Sequence, residues 1–125
     1  MAKWTDQELS TIDAHDDLHI STARADGSIR KPVIIWSVRV GSDLYVRAVR
    51  GVNGLWYRHA MEIGEGEIDA GGVHRSTRFT PIDDEATNRS IDEAFRSKYS
   101  RFAKSIVDST VTDQAREATL RVDPK

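Results

Sequence analysis

Residues 30–58 read RKPVIIWSVRVGSDLYVRAVRGVNGLWYR, and this stretch decides the fold. Two β-branched runs flank Gly41-Ser42-Asp43. In the first, Ile34, Trp36, Val38 and Val40 share one parity; in the second, Leu44, Val46 and Ala48 share the same one. Period-two alternation is the mark of a strand with one buried face. Pairing apolar face on apolar face requires opposed residue numbers to sum to an even value. The spacing therefore predicts a three- or five-residue connection around Gly41-Ser42-Asp43, with Trp36 near Ala48. A two-residue turn would exchange the faces of one strand.

The same stretch holds two of the three Trp, two of the three Tyr and six basic residues against one acid, Asp43, a net charge of +5. The whole chain is −2, so the remainder is −7. Aromatic rings and positive charge in one β-rich region point to a flat, anionic ligand.

Outward from this stretch, the pattern resolves into further elements. Thr5-Asp6-Gln7-Glu8 is a capping box opening a short helix, with Trp4 at the position of a staple residue. Leu18, Ile20 and Thr22 alternate with His19, Ser21 and Ala23 as a first strand. Asp26-Gly27 signals a hairpin turn. Pro32 belongs at the start of the second strand, where a missing amide is tolerated. Residues 55–63 form a short helix stopped by Gly64 and Gly66. Residues 66–70 and 73–81 form a hairpin, with Ala70 opposite Val73 across Gly71-Gly72. Ser90-Ile91-Asp92-Glu93 reads as a second capping box. From it Ile91, Phe95, Tyr99, Phe102 and Ile106 recur at helical spacing. The acids Asp83-Asp84-Glu85 mark a solvated loop and helix start, and residues 118–122 form a last strand. Short antiparallel strands closed by a returning terminal strand indicate a small barrel.

Length places all 125 residues in a single domain, 1–125. The absence of cysteine removes disulfides and thiolate chemistry. With no hydrophobic leader core and no apolar run near ~18 residues, the expected location is cytoplasmic. The acidic balance argues against nucleic acid as a partner, and the composition argues against a membrane. His15 and His19 have helical metal-pair spacing, but a helix end and a strand lie on either side of Asp16-Asp17. His74 stands alone, and no metal signature is present.

Several pieces carry a family resemblance that runs almost end to end: Ile35-Trp36-Ser37-Val38, Leu44-Tyr45-Val46-Arg47, Arg50-Gly51, Trp56-Tyr57-Arg58, Gly66-Glu67-Ile68 with Gly71-Gly72, Lys98-Tyr99 and Ala118-Thr119-Leu120-Arg121. They resemble a bacterial domain family of unknown function related to the split β-barrel flavin- and deazaflavin-binding proteins, nitroreductase-like and pyridoxamine-phosphate-oxidase-like. The resemblance implies an α+β fold dominated by strands. This is a six-stranded antiparallel split β-barrel with an N-terminal helix, a short helix after strand three and a long helix before the last strand. It also implies FMN or a deazaflavin as cofactor, a homodimer, and a ring lying along residues 46–51.

The implied binding residues are Arg30, Arg47, Val49, Arg50, Gly51, Trp56, Tyr57 and Arg58. His59 is the one imidazole near them and the sole candidate acid or base. Two departures stand out. His59 occupies the place of an Asn in the deazaflavin branch, and the phosphate-binding turn is reduced to Asp26-Gly27-Ser28. The expectation is therefore a flavin- or deazaflavin-binding oxidoreductase-like protein, or else a non-catalytic small-ligand or dimerisation module on the same barrel.

Overall fold

The computed structural model describes residues 3–125. Six antiparallel strands close into a barrel: β1 (Asp17–Thr22), β2 (Val33–Val40), β3 (Asp43–Arg47), β4 (Glu65–Ala70), β5 (Val73–Pro81) and β6 (Thr119–Pro124), in the spatial order β1-β2-β3-β6-β5-β4. Helix α1 (Asp6–Asp13) precedes the barrel. Helix α2 (Leu55–Ile63) follows β3, and α3 (Glu85–Lys98), α4 (Lys104–Asp108) and α5 (Asp113–Glu117) lie between β5 and β6. Among the described residues no helix is long and apolar enough to cross a membrane.

Local chemistry fixes the helix ends. The capping box of α1 is complete. Glu8 N–H donates to Thr5 Oγ1 at 3.1 Å, and Thr5 N–H donates to Glu8 Oε1 at 2.9 Å. Trp4 packs with Leu9 and Ile12 against the barrel core and donates its indole N–H to Val122 O at 2.7 Å. Helix α2 stops at Gly64, whose φ of 79° only glycine adopts freely. Helix α3 starts earlier than the sequence predicts. Asp84 is its N-cap, accepting from Thr87 N–H at 2.8 Å, and Ser90 lies inside the helix on its exposed side. Both signals were present, and the cap at Asp84 adds more than a turn of helix to the one at Ser90. The helical spacing also breaks sooner. Tyr99 caps α3, and Ile106 belongs to the separate α4, half exposed.

The β4–β5 hairpin has the predicted register, Ala70 opposite Val73. The β2–β3 hairpin does not. Val40 pairs with Asp43 across a two-residue turn, Ser37 with Val46 and Val38 with Tyr45. Facing residues on paired strands lie on the same side of the sheet. Leu44 and Val46 therefore point into the barrel core with Leu18, Ile20, Ile68, Leu120 and Val122. Val38 and Tyr45 point outward into a second core under α3, with Ile91, Phe95, Tyr99, Val107 and Val111. Both faces of this hairpin are covered, so the apolar residues of its two strands need not share a side. Trp36 packs outside the barrel on Tyr99, with ring centroids 3.8 Å apart and planes 4° apart, rather than beside Ala48.

Arg47 also faces outward, into that second core, and its side chain is fully buried. Its guanidinium donates to Asp92 at 2.5 Å, to Thr119 Oγ1 at 2.9 Å, to Thr110 O at 3.0 Å and to Asn88 Oδ1 at 2.9 Å. The face of Phe95 lies 5.6 Å from it. Asp92 is shared with Arg116 of α5 at 2.8 Å. Burial opposes the charge on Arg47, and the Asp92 carboxylate favours it. This cluster ties β3, α3, α5 and the segment between the helices to one point. Removing one partner of a buried pair leaves an uncompensated charge, at a cost of about 3–5 kcal/mol, whereas replacing both with apolar groups is often nearly neutral. Asp92→Ala should therefore lose about 3–5 kcal/mol in urea unfolding, and adding Arg47→Met should recover most of it. If the double variant is no more stable than Asp92→Ala alone, the pair does not hold the helices as described.

Candidate ligand cleft

The cleft arises from how β2 divides its partners. Val33–Trp36 pair with β1, and Ser37–Val40 pair with β3. Past the Ser37–Val46 pair, β2 and β3 separate. Between them, under α2 and α4, lies a cleft of about 830 Å³. That falls within the roughly 300–1,000 Å³ of small-molecule sites.

One wall is the first half of β2, with Val33, Ile34, Ile35 and Trp36. The opposite wall is the end of β3 and its continuation, with Ala48, Val49 and Arg50. Leu55, Trp56 and His59 of α2 close one side, and Ile106, Ser109 and Thr110 close another. Much of this apolar surface faces solvent: Ile34 is 58% exposed, Leu55 65% and Ile106 50%. The charged residues on the lining are Arg24, Arg30, Lys31, Arg47 and Arg50, and no carboxylate lies among them. Arg50, in the turn after β3, lines the same cleft as Arg30 and Lys31.

The cations differ in what already holds them. Arg47 is saturated by the cluster described above and forms part of the floor. Arg30 is oriented from behind, donating to Ala23 O at 3.0 Å, with Glu62 at 3.7 Å. Lys31 and Arg50 are exposed and make no hydrogen bond or ion pair among the described residues. The turn Asp26-Gly27-Ser28 is spent on itself: Ser28 donates its N–H at 2.9 Å and its hydroxyl at 2.7 Å to Asp26. Those bonds hold the Asp26 carboxyl below its usual range, so the turn presents a negative charge rather than free donors.

Of the residues singled out from the sequence, the cleft brings together Arg30, Arg47, Val49, Arg50, Trp56 and His59. Three lie elsewhere. Tyr57 is buried in the barrel core, because on α2 it turns away from Trp56, and desolvation raises its hydroxyl pKa. Arg58 is exposed on a shallower hollow beyond α2. Gly51 is buried beneath α5. Its φ is 77°, and a Cβ there would come within 2.5 Å of Gln114 Cγ, so glycine serves packing at this position.

The structure adds Arg24, Lys31, the first half of β2 and the Ile106–Thr110 segment. Lys31 was visible as part of the charge run. The segment after α3 left only weak cues, the Ser109-Thr110 break and the Thr112 cap on Ala115 N–H.

The histidines outside the cleft make no metal centre. Among the described residues no group of three or more His, Asp or Glu is placed to hold a metal ion. His15 donates from Nδ1 to Thr11 O at 2.9 Å on the end of α1, while His19 lies on β1 opposite Asp69. His74, isolated in the sequence, is clamped by neighbours across the sheet, with Nδ1 3.3 Å from Asp69 and Nε2 3.1 Å from Glu67.

With this geometry in hand, comparison places the protein among its relatives. The chain belongs to the family described as "Uncharacterized protein conserved in bacteria (DUF2255)", whose model matches residues 8–122. No curated protein matches it. Among solved structures, a putative pyridoxamine 5'-phosphate oxidase from Listeria innocua superposes with a TM-score of 0.68 at 12% identity, over 96% of this chain and 92% of that one. A conserved hypothetical protein from Mycobacterium tuberculosis gives 0.68 at 8% identity, over 98% and 81%. HutZ, the heme storage protein from Vibrio cholerae, gives 0.63 at 12%, over 100% and 92%. At such identities the likeness establishes the fold, a split β-barrel.

The His74 clamp gives a pH dependence. Its hydrogen bond to Asp69 is the largest influence and, with Glu67, raises the imidazole pKa. A folded pKa above the unfolded value of about 6.5 stabilises fully below that value and fades as pH rises through the folded one. An NMR titration should find His74 above about 6.5, and Asp69→Asn should bring it down. An unchanged value in that variant would remove Asp69 as the cause.

Proposed function

We propose that the cleft binds a flat, anionic aromatic ligand of flavin type, FMN or a deazaflavin. The observation that carries this is the lining: aliphatic and indole walls with cations at the opening and no carboxylate. Such a surface suits a ring on the walls and a phosphate or carboxylate at the guanidinium groups.

The residues present fit the group. Val49, Ile34, Trp56 and Leu55 would face the ring, and Arg30, Lys31 and Arg50 would hold the anion. Arg47 would support the floor without touching the ligand, since its donors are committed. A bound flavin or deazaflavin supplies the hydride chemistry, and the chain supplies position and charge. The solved structure named as a putative oxidase shares the barrel and lends support to this reading.

Homodimer formation belongs to the same proposal. Val33, Ile34, Val49, Leu55 and Ile106 leave an exposed apolar rim around the cleft, and a second copy of the chain would cover it.

A second reading keeps the site and drops the chemistry. The self-bonded turn at Asp26-Gly27-Ser28 offers no donor to a phosphate. This favours non-catalytic binding of a different small anion, in keeping with a barrel neighbour that is named for storage.

Titration of the purified protein into FMN should quench flavin fluorescence and raise the melting temperature by mass action. Arg50→Ala should weaken FMN binding roughly tenfold, the loss of one charge-assisted contact. Its stability should stay within about 0.5 kcal/mol, because Arg50 is an exposed residue without a partner. No quenching and no melting shift with FMN or a deazaflavin would overturn the cofactor reading. A shift with another anion but no redox turnover would favour the second.

A further inference from the structure

We infer that His59 couples anion binding in the cleft to uptake of a proton, so that the site selects a doubly charged ligand and grips it more tightly as pH falls. The inference rests on the reading of the cleft as an anion site, not on any reaction there.

Of the side chains on the cleft lining, His59 alone carries an imidazole, the group whose charge changes near neutral pH. It lies on α2 one turn after Leu55 and three residues after Trp56, so it shares their cleft-facing side. It is half-buried, and its ring makes no hydrogen bond among the described residues.

The charges around it come from every side of the site. Across the cleft stand Arg24, Arg30 and Lys31 on the β1–β2 connection, and Arg47 and Arg50 on β3 and its continuation. On its own helix Arg58 is adjacent. Tyr57 and Glu62 line with it the hollow beyond α2, where Glu62 leans on Arg30 at 3.7 Å. Glu62 is the one carboxylate on the lining of that hollow.

A bound anion beside the ring favours the protonated imidazole. Linkage then requires that protonation strengthen binding by the same factor by which binding strengthens protonation. A phosphomonoester carries about −1.5 to −2 near pH 7 and gains most. A neutral ring system gains nothing.

The test uses FMN and its phosphate-free counterpart riboflavin as probes, with dissociation constants measured by fluorescence at pH 6 and pH 8 for the native protein and for His59→Gln. Native FMN affinity should rise from pH 8 to pH 6 by about two- to fivefold more than that of the variant, the weight of one partly screened ion pair. The variant's own pH response reports the ligand phosphate and is subtracted. Riboflavin should show the same pH response in the two proteins, whatever its affinity for each. In the native protein, an NMR titration should also show the His59 imidazole pKa raised on saturation with FMN, which frees the result from any folding defect in the variant. Parallel FMN curves for the two proteins together with an unmoved imidazole would overturn the inference and leave flavin binding intact. Failure of the native protein to bind FMN at either pH would overturn both.

Discussion

Strand β2 cannot pair fully on both sides, and the rest of the molecule follows from that. Its first four residues bond to β1 and its last four to β3. Each half therefore has one flank without a ladder, and buried backbone groups must find partners. Beside the second half the partners are side chains. Ser37 N–H donates to Tyr99 Oη at 3.1 Å, and Lys98 Nζ donates to Ser37 O at 2.8 Å. Tyr99 donates its hydroxyl to Asp16 O at 2.7 Å, and Arg39 N–H donates to Asp13 at 3.2 Å. The end of α3 thus closes the gap between β1 and β2. Beside the first half nothing of the barrel fills the space, and the cleft is the result. One strand, split between two neighbours, produces a sealed seam at one end and an open cleft at the other.

The seam and the cleft are linked through α3. The stripe it lays on the barrel is Asn88, Ile91, Asp92, Phe95 and Tyr99. Two of these five are polar, which is costly on a buried face unless each is bonded. Both are answered by Arg47. The aromatic part of the same stripe carries Trp36, whose indole stacks on Tyr99 and forms part of the cleft wall. The helix that seals the seam therefore also sets the floor and one end of the cleft. Burial pushes the Tyr99 hydroxyl pKa well up, so it stays a neutral donor at biological pH.

Which parts of this were legible in the sequence depends on how many faces an element covers. The β4–β5 hairpin was readable down to its register because its outer face is polar, as with His74, Ser76 and Arg78, so alternation has one meaning. The β2–β3 hairpin misled because both faces are buried and the apolar residues of its two strands serve different cores. The cue was there in a polar form. Asp92 on an apolar stripe demands a cation, and Arg47 on an otherwise apolar strand demands an anion. Matching these two would have placed Arg47 under α3 and fixed the register at an odd sum. In the same way the charge run pointed to a stretch that lines the cleft, but not to which of its arginines are free. Arg47 and Arg50 are three residues apart, but one is buried at the end of β3 and the other is exposed in the turn beyond it.

Pairing within the fold also narrows the +5 of residues 30–58 to a small area. Arg39 is taken by Asp6 and Arg47 by Asp92, while Arg58 lies on the far side of α2. What remains on the cleft lining is Arg30, Lys31 and Arg50, joined there by Arg24 from outside the stretch. A diffuse positive strip would draw any polyanion. Here two of the six cations are neutralised inside the fold and Arg58 points elsewhere, and the rest line an apolar slot. Electrostatics of this kind selects for ligand shape as much as for charge. An anion without a flat apolar body would gain only exposed contacts at the rim, each worth about 0.2–1 kcal/mol, while a neutral ring would leave the cations unanswered. Only a molecule with both parts uses the whole surface, and for that reason the arrangement argues for one compact amphipathic ligand rather than an extended polymer.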